Sequence, residues 1–196
     1  MTDKHLRFAK LLVLINAAVP GILLAWDAAH HRLGANPVNF AILTTGMSAL
    51  VFLMLTMAVT PLRKISGVTW LLFSRRTLGL YAFFYALAHF LIFFYFDRQH
   101  SVSSTLSEMV KRKYLLVGAT GLLVMIPLAV TSTNAMIKRL GGKRWRRLHR
   151  LAYVAALAGV IHFYMQVKAD VRRPLAFAAL LAILLGYRLV VFLQLP

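Results

Sequence analysis

The 196-residue sequence contains no cysteine, and this absence excludes several kinds of site at once. Disulfides, thiolate metal sites, iron–sulfur clusters and cysteine nucleophiles all need a thiol that the chain does not have. Charged residues are also scarce, at 14% of the chain, against about 25% in ordinary soluble domains. Only five residues are Asp or Glu, whereas 23 are Lys or Arg, which leaves a formal net charge of +18.

What the sequence does contain is mostly apolar. Hydrophobic residues make up 60% of the chain and the mean hydropathy is +0.73, which excludes a disordered chain and an ordinary soluble domain. A nucleic-acid-binding protein could be as basic, but its remaining residues would not form apolar runs of about twenty positions. We therefore predict a polytopic membrane protein in contact with lipid, with no nucleic-acid partner.

Six apolar stretches are each close to the length of about 20 residues that a helix needs to cross a bilayer. The alternation typical of a transmembrane β-barrel is absent, so helices are the remaining way to satisfy the backbone in lipid. We predict an all-α bundle of six transmembrane helices in a single domain over residues 1–196, with residues 1–26 retained as the first helix. The predicted spans are residues 11–26, 40–60, 78–96, 114–131, 151–167 and 175–193.

The basic residues predict the orientation. Fifteen of the 23 Lys and Arg residues fall on one side if the N-terminus is cytoplasmic, and the segment Lys138 to Arg150 is the densest. Cytoplasmic loops of membrane proteins are enriched in Lys and Arg, so both termini are predicted to be cytoplasmic.

Three of the seven histidines lie on or at the start of the third and fifth predicted helices, namely His89, His149 and His162. An ionisable side chain inside a bilayer is costly and is a functional-site candidate by default. The other four fall in terminal or loop segments and are interpreted as solvated polar residues: His5, His30, His31 and His100.

Spacing suggests what the membrane histidines do. His89 follows Arg76, and His162 follows His149, by thirteen residues in each case, which is a rise of about 20 Å along a helix. His89 and His162 are therefore expected at matching depth in the outer half of the membrane, where two imidazoles could ligate one haem iron for electron transfer. The alternative is a transporter or structural membrane protein with hydrogen-bonded interhelical histidines and no haem.

The basic residues near the cytoplasmic edge have two interpretations. Arg75 and Arg76 either anchor the third helix at headgroup level or hold cofactor propionates or a phosphate. The run from Lys138 to Arg150 is mainly a determinant of topology, but it could also dock an acidic partner or a flavin phosphate. On an ideal helix His149 and His162 point about 140° apart, so they need not serve the same iron.

Over nearly its whole length the sequence resembles the MsrQ (YedZ) family of haem-binding membrane subunits, within the ferric-reductase-like transmembrane superfamily. The most specific stretches are residues 60–63 (TPLR), 75–79 (RRTLG) leading to His89, and 140–149 (LGGKRWRRLH) leading to His162.

The resemblance implies haem b with axial ligands at His89 and His162, and a role for His149 either at a second haem or near FMN. It also implies an electron-transfer subunit of the bacterial inner membrane rather than a catalytic subunit. The expected donor is quinol or a cytosolic flavin reductase. The expected acceptor is a periplasmic molybdopterin enzyme that reduces methionine sulfoxide in proteins.

Two departures bear on the cofactors. Leu43 and Val51 stand where members of the family often have a histidine and a basic residue, which puts the donor route in doubt. Related ferric reductases carry two histidines on the third helix, whereas the counterpart here is Arg75 and Arg76, which argues against a complete second bis-histidine haem. A self-contained ferric reductase is disfavoured because no flavin or nicotinamide domain is expected after the sixth span.

Overall fold

The computed structural model describes residues 3–193, and every regular element in that range is helical. Six of the described helices are long and apolar enough to cross a membrane, which confirms the predicted all-α, multi-pass architecture. These candidate spans are Lys4–Ala29, Pro37–Ser66, Leu71–Asp97, Lys113–Val130, Gly142–Gln166 and Arg172–Val191.

The helices extend beyond the apolar stretches and include basic residues at their ends. The helices are α1 (Asp3–Ala29), α2 (Pro37–Ser66), α3 (Leu71–Ile92), α4 (Val102–Lys111), α5 (Lys113–Val130), α6 (Asn134–Leu140), α7 (Gly142–Leu148), α8 (Leu151–Gln166) and α9 (Arg172–Leu193). A π-helical turn, Phe93–Asp97, continues α3. Asn36 caps the start of α2 by accepting a hydrogen bond from the amide of Asn39, and Gly67 ends α2 with a φ of 69°.

Large apolar side chains stay exposed along the spans. Ile22, Leu123 and Ile183 are each more than 60% exposed, although they lie within the candidate spans formed by α1, α5 and α9. A soluble protein rarely presents so much contiguous apolar surface, whereas lipid solvates it without cost. This surface agrees with a protein surrounded by a bilayer.

The chain divides into two compact units, Met1–Ser107 and Glu108–Pro196. In the first unit α2 packs along α3, and α1 packs on both helices. The buried side chains of this unit come mainly from the middle of α2, including Leu53, Met54 and Met57, and from Ala82 and Tyr85 of α3. The single-domain interpretation stays a prediction.

In the second unit α8 packs against α5, and α9 packs on α8. Small residues let α5 and α8 approach closely. Ala155, Ala156 and Ala158 of α8 are buried, and a Cβ at Gly121 of α5 would lie 3.3 Å from the Cβ of Ala158. Helices in membranes commonly associate through such small residues because backbones can then come into van der Waals contact. The cytoplasmic location of the two termini stays a prediction.

Candidate functional site

His89 is held by the backbone of the neighbouring helix. It lies half-buried on α3, and its Nδ1 is 2.8 Å from the carbonyl oxygen of Ile42 on α2. A carbonyl can only accept a hydrogen bond, so Nδ1 must carry the proton and donate it. In neutral imidazole the lone pair is then on Nε2, which is the nitrogen that would ligate a metal.

His162 has the same arrangement in the second unit. It is half-buried on α8, and its Nδ1 is 2.7 Å from the carbonyl oxygen of Tyr114 in the first turn of α5. The proton is again on Nδ1 and the lone pair on Nε2, by the same argument. The phenol ring of Tyr114 also lies beside the imidazole, with the ring centroids 5.7 Å apart.

A glycine stands one helical turn after each carbonyl. Gly46 follows Ile42 by four residues, and Gly118 follows Tyr114 by four. A Cβ added at Gly46 would lie 2.8 Å from Nδ1 of His89, and one at Gly118 would lie 2.6 Å from Nδ1 of His162. The two histidines therefore share one local design: a half-buried imidazole, a helix carbonyl on Nδ1, and a glycine beside the ring.

His149 is placed differently. It lies between α7 and α8, and its Nε2 is 3.1 Å from Oγ1 of Thr131. The hydroxyl of Thr131 already donates to the carbonyl of Pro127, 2.6 Å away. Because a hydroxyl has a single proton, Thr131 must accept from His149, so Nε2 of His149 carries the proton and the lone pair of the neutral ring is on Nδ1.

An aromatic contact completes this cluster. The ring of His149 stacks on the indole of Trp145, with centroids 3.9 Å apart, and Nε1 of Trp145 donates to the carbonyl of Thr131. His149 and Trp145 together connect the end of α5 to the start of α8. A role for His149 in cofactor binding stays a prediction.

The structure does not bring Arg75 and Arg76 next to His89. They lie in the first two turns of α3, with Arg75 half-buried and Arg76 exposed. His89 is thirteen residues beyond Arg76 on the same continuous helix, which is a rise of about 20 Å. The four histidines interpreted as solvated are all exposed: His5, His30, His31 and His100.

A part-buried, charge-assisted hydrogen bond joins α8 and α9. Nη1 of Arg188 donates to the hydroxyl of Tyr153 over 2.6 Å, and its guanidinium lies 4.9 Å from the centre of the same ring. Arg188 is inside the sixth candidate span. The signal in the sequence is an arginine within an apolar helix, which requires a partner on a neighbouring helix.

Among residues 3–193, no group of three or more His, Cys, Asp or Glu side chains is arranged to hold a metal ion. His89 and His162 each have Nδ1 bonded to a backbone carbonyl, which leaves Nε2 as the one nitrogen of each ring that could ligate a metal.

Comparison with known proteins decides the family. Residues 42–160 match the ferric reductase-like transmembrane component family. The chain is 45% identical over 190 residues to a protein of Ralstonia nicotianae, covering 96% of this chain and 88% of that protein. It is 45% identical over 186 residues to a protein of Herminiimonas arsenicoxydans, covering 94% of this chain and 85% of that protein. Both relatives are named protein-methionine-sulfoxide reductase heme-binding subunit MsrQ. The chain belongs to the MsrQ family.

The alignments with the MsrQ relatives cover nearly the whole chain and therefore include the candidate site. The match to the ferric reductase-like component includes His89 and His149 and stops two residues before His162. A relative in Rhodospirillum rubrum, 43% identical over 187 residues and with the same name, covers 94% of this chain and 88% of its own. The resemblance to the MsrQ family that the sequence motifs indicate is therefore confirmed.

Proposed function

We propose that this chain is a haem b-binding membrane subunit that carries electrons to a methionine sulfoxide reductase, with His89 and His162 as the axial ligands. The observation that carries the proposal is the matched hydrogen bond from Nδ1 of each histidine to a helix carbonyl. The names of the MsrQ relatives support haem as the cofactor.

The residues fit the proposed group. A metal-ligating histidine almost always donates its other ring N–H to a carbonyl, carboxylate or water, which fixes the tautomer and raises the basicity of the ligating nitrogen. Ile42 and Tyr114 supply that acceptor for His89 and His162 respectively. Both histidines thus present Nε2 as the lone-pair donor that haem iron requires.

When bound, haem supplies a one-electron redox centre within the membrane. The chain's own residues then do three things: they offer imidazole ligands, hold the rings against rotation, and surround them with apolar helices. His89 and His162 would both bind the iron, and a haem held by two imidazoles would supply electron transfer rather than oxygen chemistry. These roles of the haem and of the chain's residues agree with an electron-transfer subunit rather than a catalytic one.

Arg75, Arg76 and His149 have a separate proposed role. The two arginines lie about 20 Å from His89 along α3, which suits an anionic group at the opposite end of that helix. Arginine is well matched to a carboxylate or phosphate. We assign Arg75 and Arg76 as candidates for holding cofactor propionates or a phosphate, and His149 separately as a candidate ligand of a second haem or a residue near FMN.

The path of electrons completes the proposal. Quinol or a cytosolic flavin reductase is the donor, and a periplasmic molybdopterin sulfoxide reductase is the acceptor. The proposed location is the bacterial inner membrane, and the positive-inside bias supports termini in the cytoplasm. Leu43 directly follows Ile42, the residue that accepts the His89 hydrogen bond, so its departure from the family pattern lies next to the residue that orients His89.

The test is spectroscopic. The protein purified from haem-replete cells should show b-type bands in a reduced-minus-oxidised spectrum and a b-type pyridine haemochrome. H89A and H162A should each lose these bands, whereas H100A, which removes an exposed histidine, should keep them. Normal bands in both H89A and H162A would refute the ligand assignment. A colourless, folded wild-type protein would favour a transporter or structural membrane protein instead.

A further inference from the structure

We propose that Gly46 and Gly118 are positioning residues for the two haem ligands, an inference that rests on the proposed function. Each glycine creates the space in which an imidazole reaches a helix carbonyl. Without it, neither His89 nor His162 could keep both its present ring position and its Nδ1 hydrogen bond.

The spacing of four residues follows from helix geometry. In an α-helix the carbonyl of residue i accepts from the amide of residue i+4, and a second lone pair is left for another donor. The Cα–Cβ bond of residue i+4 tilts towards the helix N-terminus and so lies over residue i. A side chain at position 46 or 118 would therefore stand where the imidazole approaches the carbonyl of Ile42 or Tyr114.

The distances show how little room there is. A Cβ at Gly46 would lie 2.8 Å from Nδ1 and 3.0 Å from Cε1 of His89. A Cβ at Gly118 would lie 2.6 Å from Nδ1, 2.9 Å from Cε1 and 3.2 Å from Cγ of His162. Real Cβ atoms essentially never approach another atom within 3.0 Å. The ring must move away from the carbonyl, or the two helices must separate.

Two glycines elsewhere in the spans have ordinary room for a Cβ. A Cβ at Gly79 would meet only Thr56, at 3.6 Å, which is ordinary van der Waals contact. A Cβ at Gly186 would have nothing within 4 Å. At Gly46 and Gly118, by contrast, the added Cβ would lie closer than 3.0 Å to a histidine Nδ1, so Gly79 and Gly186 serve as matched controls in the first and second units.

Displacing the ring should change the ligand in two measurable ways. Loss of an outer-shell hydrogen bond to a metal-binding histidine typically weakens metal affinity or activity by about 10–100-fold. It also frees the imidazole to rotate, which alters the electronic anisotropy of the iron. G46A and G118A should therefore retain haem about 10–100-fold more weakly, with shifted low-temperature EPR g values and a shifted midpoint potential.

The experiment compares G46A and G118A with G79A and G186A in the full-length protein. Haem retention is measured by titration with a haem-scavenging apoprotein, and the g values and midpoint potential are measured on the haem that stays bound. The controls should match the wild type. Retention, g values and potential equal to those of the controls in both G46A and G118A would overturn the inference. A wild type without haem would instead overturn the proposed function.

A second measurement, of thermal stability, remains informative even where a variant loses its haem or folds poorly. If the added methyl group acts through the imidazole, G46A should lower the thermal stability of the wild type but cost little in the H89A background. G118A should behave in the same way with H162A. Such coupling is what a double-mutant cycle measures. An equal loss of stability in both backgrounds would contradict a clash with the ring.

Discussion

The hydroxyl of Tyr85 on α3 accepts a hydrogen bond of 2.7 Å from the backbone amide of Gly21 on α1. The same hydroxyl donates to the carbonyl of Ala17, 3.0 Å away. Gly21 and Ala17 are four residues apart, the spacing of a helical hydrogen bond, and Pro20 lies between them. Proline weakens a helix at this point, and in lipid no water can satisfy the backbone groups. Tyr85 therefore both supports α1 and ties it to α3.

Replacing Tyr85 with Phe should destabilise the protein. The substitution removes a donor and an acceptor that serve two backbone groups, and an unsatisfied buried group costs about 1–3 kcal/mol. Y81F is the matched control, because Tyr81 is on the same face of α3 but only donates to the carbonyl of Leu14. The unfolding temperature measured in detergent should be highest for the wild type, lower for Y81F and lowest for Y85F. Equal unfolding temperatures for Y81F and Y85F would contradict the bridging role.

Tyr85 also marks a limit of sequence-based prediction. The third helix carries many aromatic residues, and nothing in their pattern distinguishes the one whose hydroxyl bonds a helix 64 residues away in sequence. The six spans could be predicted because transfer into lipid depends on composition over about 20 residues. A hydrogen bond depends instead on how two helices are rotated about their axes.

The candidate haem ligands show the same contrast between what sequence composition reveals and what depends on how the helices are rotated. His89 and His162 were predicted as functional because a histidine inside an apolar helix is conspicuous in sequence. Their acceptors, the carbonyls of Ile42 and Tyr114, are 47 and 48 residues away and are backbone atoms without any residue signature. A glycine such as Gly118 inside a span is the only sequence trace of that contact, and many such glycines simply permit helix packing.

Replacing His149 with Ala should lower stability and leave the spectrum of the haem proposed at His89 and His162 unchanged. The reason is that His149 donates to Thr131 through Nε2 and stacks on Trp145. Thermal unfolding and the haem-to-protein ratio are the measurements. T131V is a useful companion, since it removes the acceptor and keeps the histidine. A drop in the haem ratio in H149A but not in T131V would favour a second haem over FMN as the cofactor proposed at His149. An unchanged unfolding temperature in H149A would contradict the structural role of its contacts with Thr131 and Trp145.

Tyr153 should contribute to stability through both its hydroxyl and its ring. Y153F removes the hydrogen bond from Arg188, and a hydrogen bond to a charged group is worth about 1.5–3 kcal/mol. Y153L also removes the aromatic face that lies 4.9 Å from the guanidinium, a contact worth a further ~1–2 kcal/mol in a desolvated site. Unfolding temperatures should fall from wild type to Y153F to Y153L. A Y153F protein as stable as the wild type would show that the hydroxyl adds nothing.

The lack of native cysteine makes the predicted orientation directly testable. A single cysteine can be introduced at Ser103 on α4 or at Ser66 at the end of α2, both of which are exposed. With both termini cytoplasmic, position 103 lies outside and position 66 inside. A membrane-impermeant maleimide should therefore label S103C in intact cells, and should label S66C only after the membrane is permeabilised. The cysteine-free wild type is the control for non-specific labelling. The reverse pattern would place His89 and His162 in the cytoplasmic half of the membrane, far from a periplasmic acceptor, and would contradict the proposed direction of electron flow.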